Sequence, residues 1–358
     1  MNDRVDLATL FRCPYCRGDL RFADDRLQCA ECDAQFPIDQ GIPCFVPGQL
    51  RTKRPLSSYD RDLDRRHTDR ATANAVRKPA AGCCGVQGIE TANQRVNREA
   101  RADFRFMMPL DGNDVVLYIG SCTNIPMAFA RIVRCVIALD TSLEGLHLLQ
   151  RRAQEEGLYN IIGAQGDACT LPLRPASCNA ALMVGGLARV VSAGPRGAPQ
   201  RLQKQALQRI RCTLKSGGSL CLGAENRFGF RYFLGAKQSD TGLRVISIVP
   251  NRLAKNCFEL ARQQDYREIT HSLWGLEKLL HSVGFNRVDF FFPIPDYQNP
   301  RFVMDLEDKG VARFVVEQLR AYPQFSHLQY LAARILVSLP LCLQRSFWPS
   351  FIAVATCS

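Results

Sequence analysis

Asp114-Val115-Val116-Leu117-Tyr118-Ile119-Gly120-Ser121-Cys122-Thr123-Asn124 is an apolar run of strand length that ends in glycine and small polar residues. It is the first of several. Short apolar runs bounded by turn residues fit strands buried on both faces, and those at 114–119, 135–140, 161–163, 180–184, 219–224, 287–292 and 351–356 give seven candidate strands. Helical patterns alternate with them. Leu202, Ala206, Ile210 and Leu214 recur at helical spacing before Lys215-Ser216-Gly217-Gly218 supplies a stop, and Pro126 suits a first helical turn. The alternation predicts an α/β fold, a doubly wound, mostly parallel sheet covered on both faces; periodicity alone goes no further.

Upstream, Cys13-Pro14-Tyr15-Cys16 and Cys29-Ala30-Glu31-Cys32 are Cys-x-x-Cys knuckles separated by twelve residues. Each knuckle can aim two thiolates at one point, and a turn between them assembles the closed tetrahedral shell that structural Zn²⁺ prefers. Cys13, Cys16, Cys29 and Cys32 are therefore the expected ligands of a zinc ribbon. With no open coordination position, such a metal folds the module and takes no part in chemistry.

Composition sets the remaining bounds. The chain has 358 residues, 46% of them hydrophobic, enough for the ribbon and one sizeable core. Met1-Asn2-Asp3-Arg4-Val5-Asp6 lacks an apolar signal core and no run reaches eighteen apolar residues, which predicts a cytoplasmic protein. Residues 328–343, the most apolar stretch, are broken by Arg334 and Pro340 and read as a packed helix pair. Sixteen cysteines without an export signal imply reduced thiols; the Cys83-Cys84 pair is either idle in its loop, redox-sensing or metal-binding. Of the net charge of +12, residues 51–105 carry +6, from thirteen Lys/Arg against seven Asp/Glu. That stretch is either a solvated linker or a contact for an anionic partner, such as nucleic acid, a phosphorylated carrier or an acidic peptide.

Two resemblances follow from particular residues. After the second knuckle, Gln35-Phe36-Pro37-Ile38-Asp39-Gln40-Gly41-Ile42-Pro43 resembles the closing segment of the small zinc-ribbon activator subunit of tRNA, rRNA and protein methyltransferases. That match covers residues 10–45. Gly166-Asp167-Ala168-Cys169-Thr170-Leu171-Pro172-Leu173 resembles the adenine-side motif of class I S-adenosylmethionine-dependent methyltransferases, a resemblance that extends over most of residues 114–300. It implies their seven-stranded Rossmann-like sheet, in which the last strand inserts antiparallel beside the fifth.

The resemblance also implies site residues. Gly120 and Cys122 stand in the glycine-rich turn after the first strand, where Tyr118 replaces the usual acid and Asn124 the last glycine. Asp140, twenty residues after Gly120, stands where an acid accepts ribose hydroxyls. Asp167 and Ala168 fall in the adenine-side motif, and Val184 at the tip of the strand whose end faces the donor methyl. Ala224-Glu225-Asn226-Arg227-Phe228-Gly229-Phe230-Arg231-Tyr232-Phe233-Leu234-Gly235-Ala236 resembles a segment of bacterial methyltransferases of glycan, lipid-carrier and natural-product pathways.

Asn226 and Arg227 are thus candidate acceptor contacts, with Arg227 and Arg231 able to fork a carboxylate or phosphate. His271, just before a helical stretch, is the candidate general base. The expected organisation is a ribbon over 1–48, a basic connector over 49–105 and a methyltransferase-like domain over 106–358, with a lid at 226–270 and a helical insertion at 305–345. The expected function is methyl transfer from S-adenosylmethionine to a small-molecule, glycan, lipid-carrier or peptide acceptor. The alternatives are a non-catalytic zinc scaffold that binds a partner, or a non-methylating use of the cofactor.

Overall fold

The computed structural model describes residues 10–23, 25–46, 104–120, 125–185, 187, 199–236, 269–298, 300–321 and 326–357. The basic connector up to residue 103, with Cys83-Cys84, and Cys122, Asn124 and most of the expected lid lie outside them. Two compact units are present: Met1–Asp167 with Pro172–Arg174, and Ala168–Leu171 with Pro175–Ser358.

In the first unit, β1 (Leu20–Ala23), β2 (Arg26–Cys29), β3 (Gln35–Asp39) and β4 (Ile42–Pro43) form an antiparallel sheet in chain order. Then come β5 (Val115–Ile119), α1 (Ile125–Ala130), β6 (Cys135–Asp140), α2 (Leu143–Glu155) and β7 (Ile161–Gln165), whose strands pair in parallel as β5-β6-β7. Residues 135–139 of β6 are all buried, as a strand covered on both faces requires. α2 starts where Ser142 Oγ accepts from Gly145 N at 3.1 Å, satisfying one of the end's unpaired amides.

The ribbon is built into this unit. Cys44 bridges Gln165 in parallel register and Phe45 N donates to Gln165 O at 2.7 Å, so the chain after β4 runs along β7. Phe11 bridges Leu173, flanked by Arg12 N to Pro172 O and Arg174 N to Leu10 O. Ile42, 1% exposed, packs in one core cluster with Met127, Ala138, Leu146 and Leu149. The ribbon thereby covers backbone groups that an edge strand leaves open to other chains.

The second unit holds β8 (Cys178–Val184), α3 (Pro199–Thr213), β9 (Leu214–Glu225), α4 (Phe230–Phe233), α5 (Leu273–Ser282), β10 (Arg287–Ile294), β11 (Phe302–Met304), α6 (Lys309–Gln318), α7 (His327–Leu336), α8 (Leu341–Phe347) and β12 (Ser350–Thr356). β9 is parallel to β8; β12 lies antiparallel between β9 and β10, and β11 extends the edge beside β10. The insertion of the final strand beside the fifth is the arrangement implied by the resemblance.

Two details differ from expectation. β11 makes eight α/β strands where seven were read, because three residues fall below the length at which periodicity registers. β9 begins at Leu214, immediately after α3, so Lys215-Ser216-Gly217-Gly218 lies within it. There Gly217 takes φ +75°, a Cβ on Gly218 would sit 2.9 Å from Asn179 O, and the β8–β9 register shifts between Cys178 and Ala180; the glycines make a bulge. The 305–345 insertion resolves into α6, α7, α8 and a 3₁₀ turn at Leu319–Ala321, with Pro340 as N-cap of α8, which bears out the helix pair at 328–343. No helix among the described residues is long and apolar enough to cross a membrane.

Ile42→Ala should loosen β6 and β7 together with the ribbon, at a cost of about 2–5 kcal/mol for deleting a buried isoleucine side chain. Hydrogen exchange resolved by peptide checks this: protection must fall in Cys135–Asp140 as well as in the ribbon, and loss confined to the ribbon would refute the shared core.

Candidate functional site

The four ribbon sulfurs lie within 4.8 Å of one another, with Cys13–Cys32 at 3.6 Å and Cys16–Cys29 at 3.3 Å. Tetrahedral zinc with bonds of about 2.3 Å needs sulfurs about 3.8 Å apart, so the cluster is of the right size. Gly18 N and Glu31 N point at Cys16 Sγ and Cys29 Sγ, 3.4 and 3.5 Å away, and such donors favour thiolates. Arg17 and Asp33, each directly after the second cysteine of a knuckle, take positive φ (68° and 55°), the turn that lets the backbone fold back. The residues fit a Cys₄ zinc site.

At the carboxyl ends of β5, β6 and β7, parallel register brings Gly120, Asp140 and Gly166-Asp167 into one row. Gly120 N donates to Leu139 O at 3.3 Å, and Gly166 N to Asp140 O at 2.9 Å. Gly120 takes φ +139°, and among the described residues the nearest atom to a Cβ there would be Tyr118 Oη at 4.0 Å. Gly166 is required sterically: its Cβ would approach Leu139 Cδ1 to 2.9 Å. Asp140 Oδ1 accepts from Ser142 N at 2.9 Å, so the carboxylate also supports the entry to α2. Asp167 is half-buried.

In the second unit Ala168 is buried and Val184 half-buried at the tip of β8. Beyond that tip lies a small open recess lined by Gly185, Glu225, Thr270, His271, Leu276 and Tyr297 among others. Tyr297 lies flat across the strand ends: a Cβ on Gly223 would come within 2.8 Å of its ring, and one on Gly185 within 3.0 Å of its hydroxyl. Its backbone N donates to Ser350 Oγ at 3.2 Å.

His271 Nε2 is 2.7 Å from Gln203 Oε1. Burial, and then the charge of Arg227, push the imidazolium pKa down to about 4, so the ring is neutral near pH 7. Arg227 N donates to His271 O at 3.0 Å, which holds the two residues side by side. Arg231 does not complete the expected fork: its Nη2 is 2.7 Å from Glu225 Oε1, while Tyr232 donates its hydroxyl to Glu225 Oε2. Burial and the Glu225 charge raise the Tyr232 pKa and keep it a donor.

Asn226, read from the sequence as an acceptor contact, is fully buried and engaged elsewhere. Its Nδ2 donates to Ser346 O and Trp348 O, both at 2.8 Å, and its Oδ1 accepts from Phe228 N. A carboxamide with both donors and its acceptor satisfied by the chain is a clamp. Conversely, Gln203, Glu225 and Tyr297 were missed. The signal for Gln203 was a polar residue on the apolar face of Ala206, Leu207 and Ile210; Glu225 stood unremarked inside a quoted motif, and Tyr297 carried no pattern that marked it.

No protein-family model matches the chain, and no curated protein does. Among solved structures it is similar to phosphoethanolamine N-methyltransferase 2 of Haemonchus contortus in complex with phosphomonomethylethanolamine and S-adenosylhomocysteine (15% identity, 73% of this chain, 52% of that one, TM-score 0.41). It thus spans about half that protein's length. Similar too are the cyclase SpnF (17% identity, 82% and 92% coverage, TM-score 0.43) and a complex containing the Haloferax volcanii Trm112 methyltransferase activator (13%, 76% and 92%, TM-score 0.43).

Purified protein should carry close to one zinc per chain, and Cys29→Ser should lose it; full metal retention in that variant would exclude these four cysteines as the ligand set. His271 gives a pH signature. Its folded pKa of about 4 lies below the ordinary 6.5, so between those values the unfolded chain binds a proton that the native chain does not. Stability should be level above pH 6.5 and fall toward pH 4, by on the order of 3 kcal/mol. Urea midpoints of wild type and His271→Asn at pH 7 and 4.5 test it, since the variant should lose less.

Proposed function

We propose that the chain is an S-adenosylmethionine-dependent methyltransferase whose acceptor binds in the recess lined by Glu225, His271 and Tyr297. The carrying observation is the row of Gly120, Asp140 and Gly166-Asp167 at the ends of three parallel strands, where open α/β sheets bind their ligands. Gly120 fits a close backbone approach by the cofactor, Asp140 its ribose and Asp167 its adenine; for Ala168 and Val184, in the second unit, the cofactor role is the one that the resemblance implies. Cys122 remains a cofactor contact implied by the resemblance alone. When bound, S-adenosylmethionine supplies an electrophilic methyl group, so the protein's task is to place and deprotonate a nucleophile away from water.

Arg227 and His271 divide that task. Arg227 offers a guanidinium for a carboxylate or phosphate on the acceptor. An anion paired with Arg227 also offsets the charge that lowers the His271 pKa, which brings the ring closer to a working base as the acceptor arrives. Asn226 serves by fixing the turn that carries Arg227. This arrangement supports an anionic small molecule, or a glycan, lipid-carrier or peptide bearing such a group. A second reading, a non-catalytic scaffold, is supported by Tyr118, whose hydroxyl stands beside Gly120 where the family carries an acid.

Calorimetry with S-adenosylmethionine and its demethylated product separates the two. Asp140→Ala should weaken cofactor binding roughly ten- to a hundredfold, the effect of losing charge-assisted bonds; Asp140→Asn, which keeps an acceptor for Ser142, controls for damage to α2. Arg227→Ala should leave cofactor affinity intact and reduce turnover or acceptor binding. No heat with either cofactor form at millimolar ligand would end the methyltransferase reading and leave the scaffold.

A further inference from the structure

Gln203 is fully buried on α3. Its Nε2 donates to Leu187 O at 3.2 Å and to Ile269 O at 3.1 Å. Two carbonyls can be served only by an NH₂ group, since the flipped amide would press oxygen against oxygen. Oε1 is therefore the atom 2.7 Å from His271 Nε2, and an oxygen acceptor there requires that Nε2 carry the hydrogen. A neutral imidazole has one such hydrogen, so Nδ1 is bare. Among the described residues no hydrogen bond reaches Nδ1; Gly275 is one neighbour, on which a Cβ would lie 3.7 Å from Nδ1 in ordinary van der Waals contact, and His271 itself lines the recess.

We propose that Gln203 is a positioning residue whose carboxamide locks His271 as its Nε2–H tautomer, which makes the recess selective for an acceptor that presents a hydroxyl or N–H hydrogen to Nδ1. This rests on the reading of the recess as the acceptor site. A thioether, a tertiary amine or a pre-formed carbanion has no hydrogen to offer and gains nothing from a bare Nδ1. A hydroxyl or a primary or secondary amine is oriented by it, with its lone pair turned away from the ring; that lone pair would form the bond to the methyl carbon as the sulfonium carbon–sulfur bond breaks with its electrons left on sulfur, and the proton would pass to Nδ1. The charged and titratable groups around the ring are Arg227 beside it and Glu225 and Tyr297 in the recess lining; Gln203, from α3, is the neutral partner.

The tautomer can be read directly. In full-length protein labelled with nitrogen-15 histidine, with the His271 signals assigned by their loss in His271→Gln, two-bond proton–nitrogen correlation should show Nε2–H between pH 8 and 5. An Nδ1–H form, or an even mixture, overturns the proposal whatever the activity. Gln203→Glu puts a carboxylate against Nε2 and should raise the His271 midpoint by about one unit or more, tenfold in proton affinity, while Gln203→Leu should let the tautomers mix. Both variants should bind S-adenosylmethionine within about twofold of wild type and lower turnover, with the acid limb of the Gln203→Glu rate profile moved up. An unmoved midpoint in Gln203→Glu would reduce Gln203 to packing. Failure of the wild type to bind the cofactor removes the methyl-transfer reading and leaves the tautomer result to stand or fall by itself.

Discussion

The antiparallel pairing of Ser350–Thr356 with Ser219–Glu225 is the constraint on which the recess depends. It brings the segment before β12 against the loop after β9, so Asn226 N donates to Pro349 O while the Asn226 side chain binds the carbonyls of Ser346 and Trp348. Gly229 has to be glycine there, because a Cβ would meet Pro349 Cα at 2.9 Å. Ser350 Oγ fixes the backbone of Tyr297, and Trp348 Nε1 donates to Pro293 O at 3.3 Å. One strand thus holds both the loop that carries Arg227 and the segment that carries Tyr297, and it does so with buried, satisfied hydrogen bonds that are costly to break.

Those long-range partners explain what the sequence showed and what it hid. Buried strands announce themselves locally: Cys-Val-Ile-Ala-Leu-Asp was read as 135–140 and is β6 residue for residue. The knuckles are equally local, since two cysteines three positions apart must share a turn. Asn226 was misread because its partners lie about 120 residues downstream, and an asparagine beside an arginine looks like a ligand contact until those carbonyls are seen. Arg231 was misread for a related reason, its counter-charge Glu225 being close in sequence but unmarked as a partner by any pattern. Gln203 differs. A polar residue on an apolar helix face is a local anomaly, and here it marks the buried bond to His271.

The recess balances charge in a way that bears on chemistry. Glu225 is paired with Arg231 and accepts from Tyr232, while His271 is held neutral first by burial and then by the positive charge of Arg227. A histidine suppressed by burial and then by a neighbouring cation is a weak base, and an anion beside that cation would make it a stronger one.

The ribbon adds a thermodynamic tie of another kind. Metal binding to four thiolates supplies folding free energy to any structure that exists only when the ligands are assembled. Because Ile42 belongs at once to the ribbon and to the core under α2, and Phe45 is hydrogen-bonded to β7, that energy is not confined to forty residues. Unfolding the ribbon would expose Ile42, Phe11 and Phe45, each no more than 3% exposed, and would uncover the edge of β7. Fused in this position, the ribbon is the outermost layer of the parallel strands that end in Gly120, Asp140 and Asp167, and the rigidity of that row is linked to the metal.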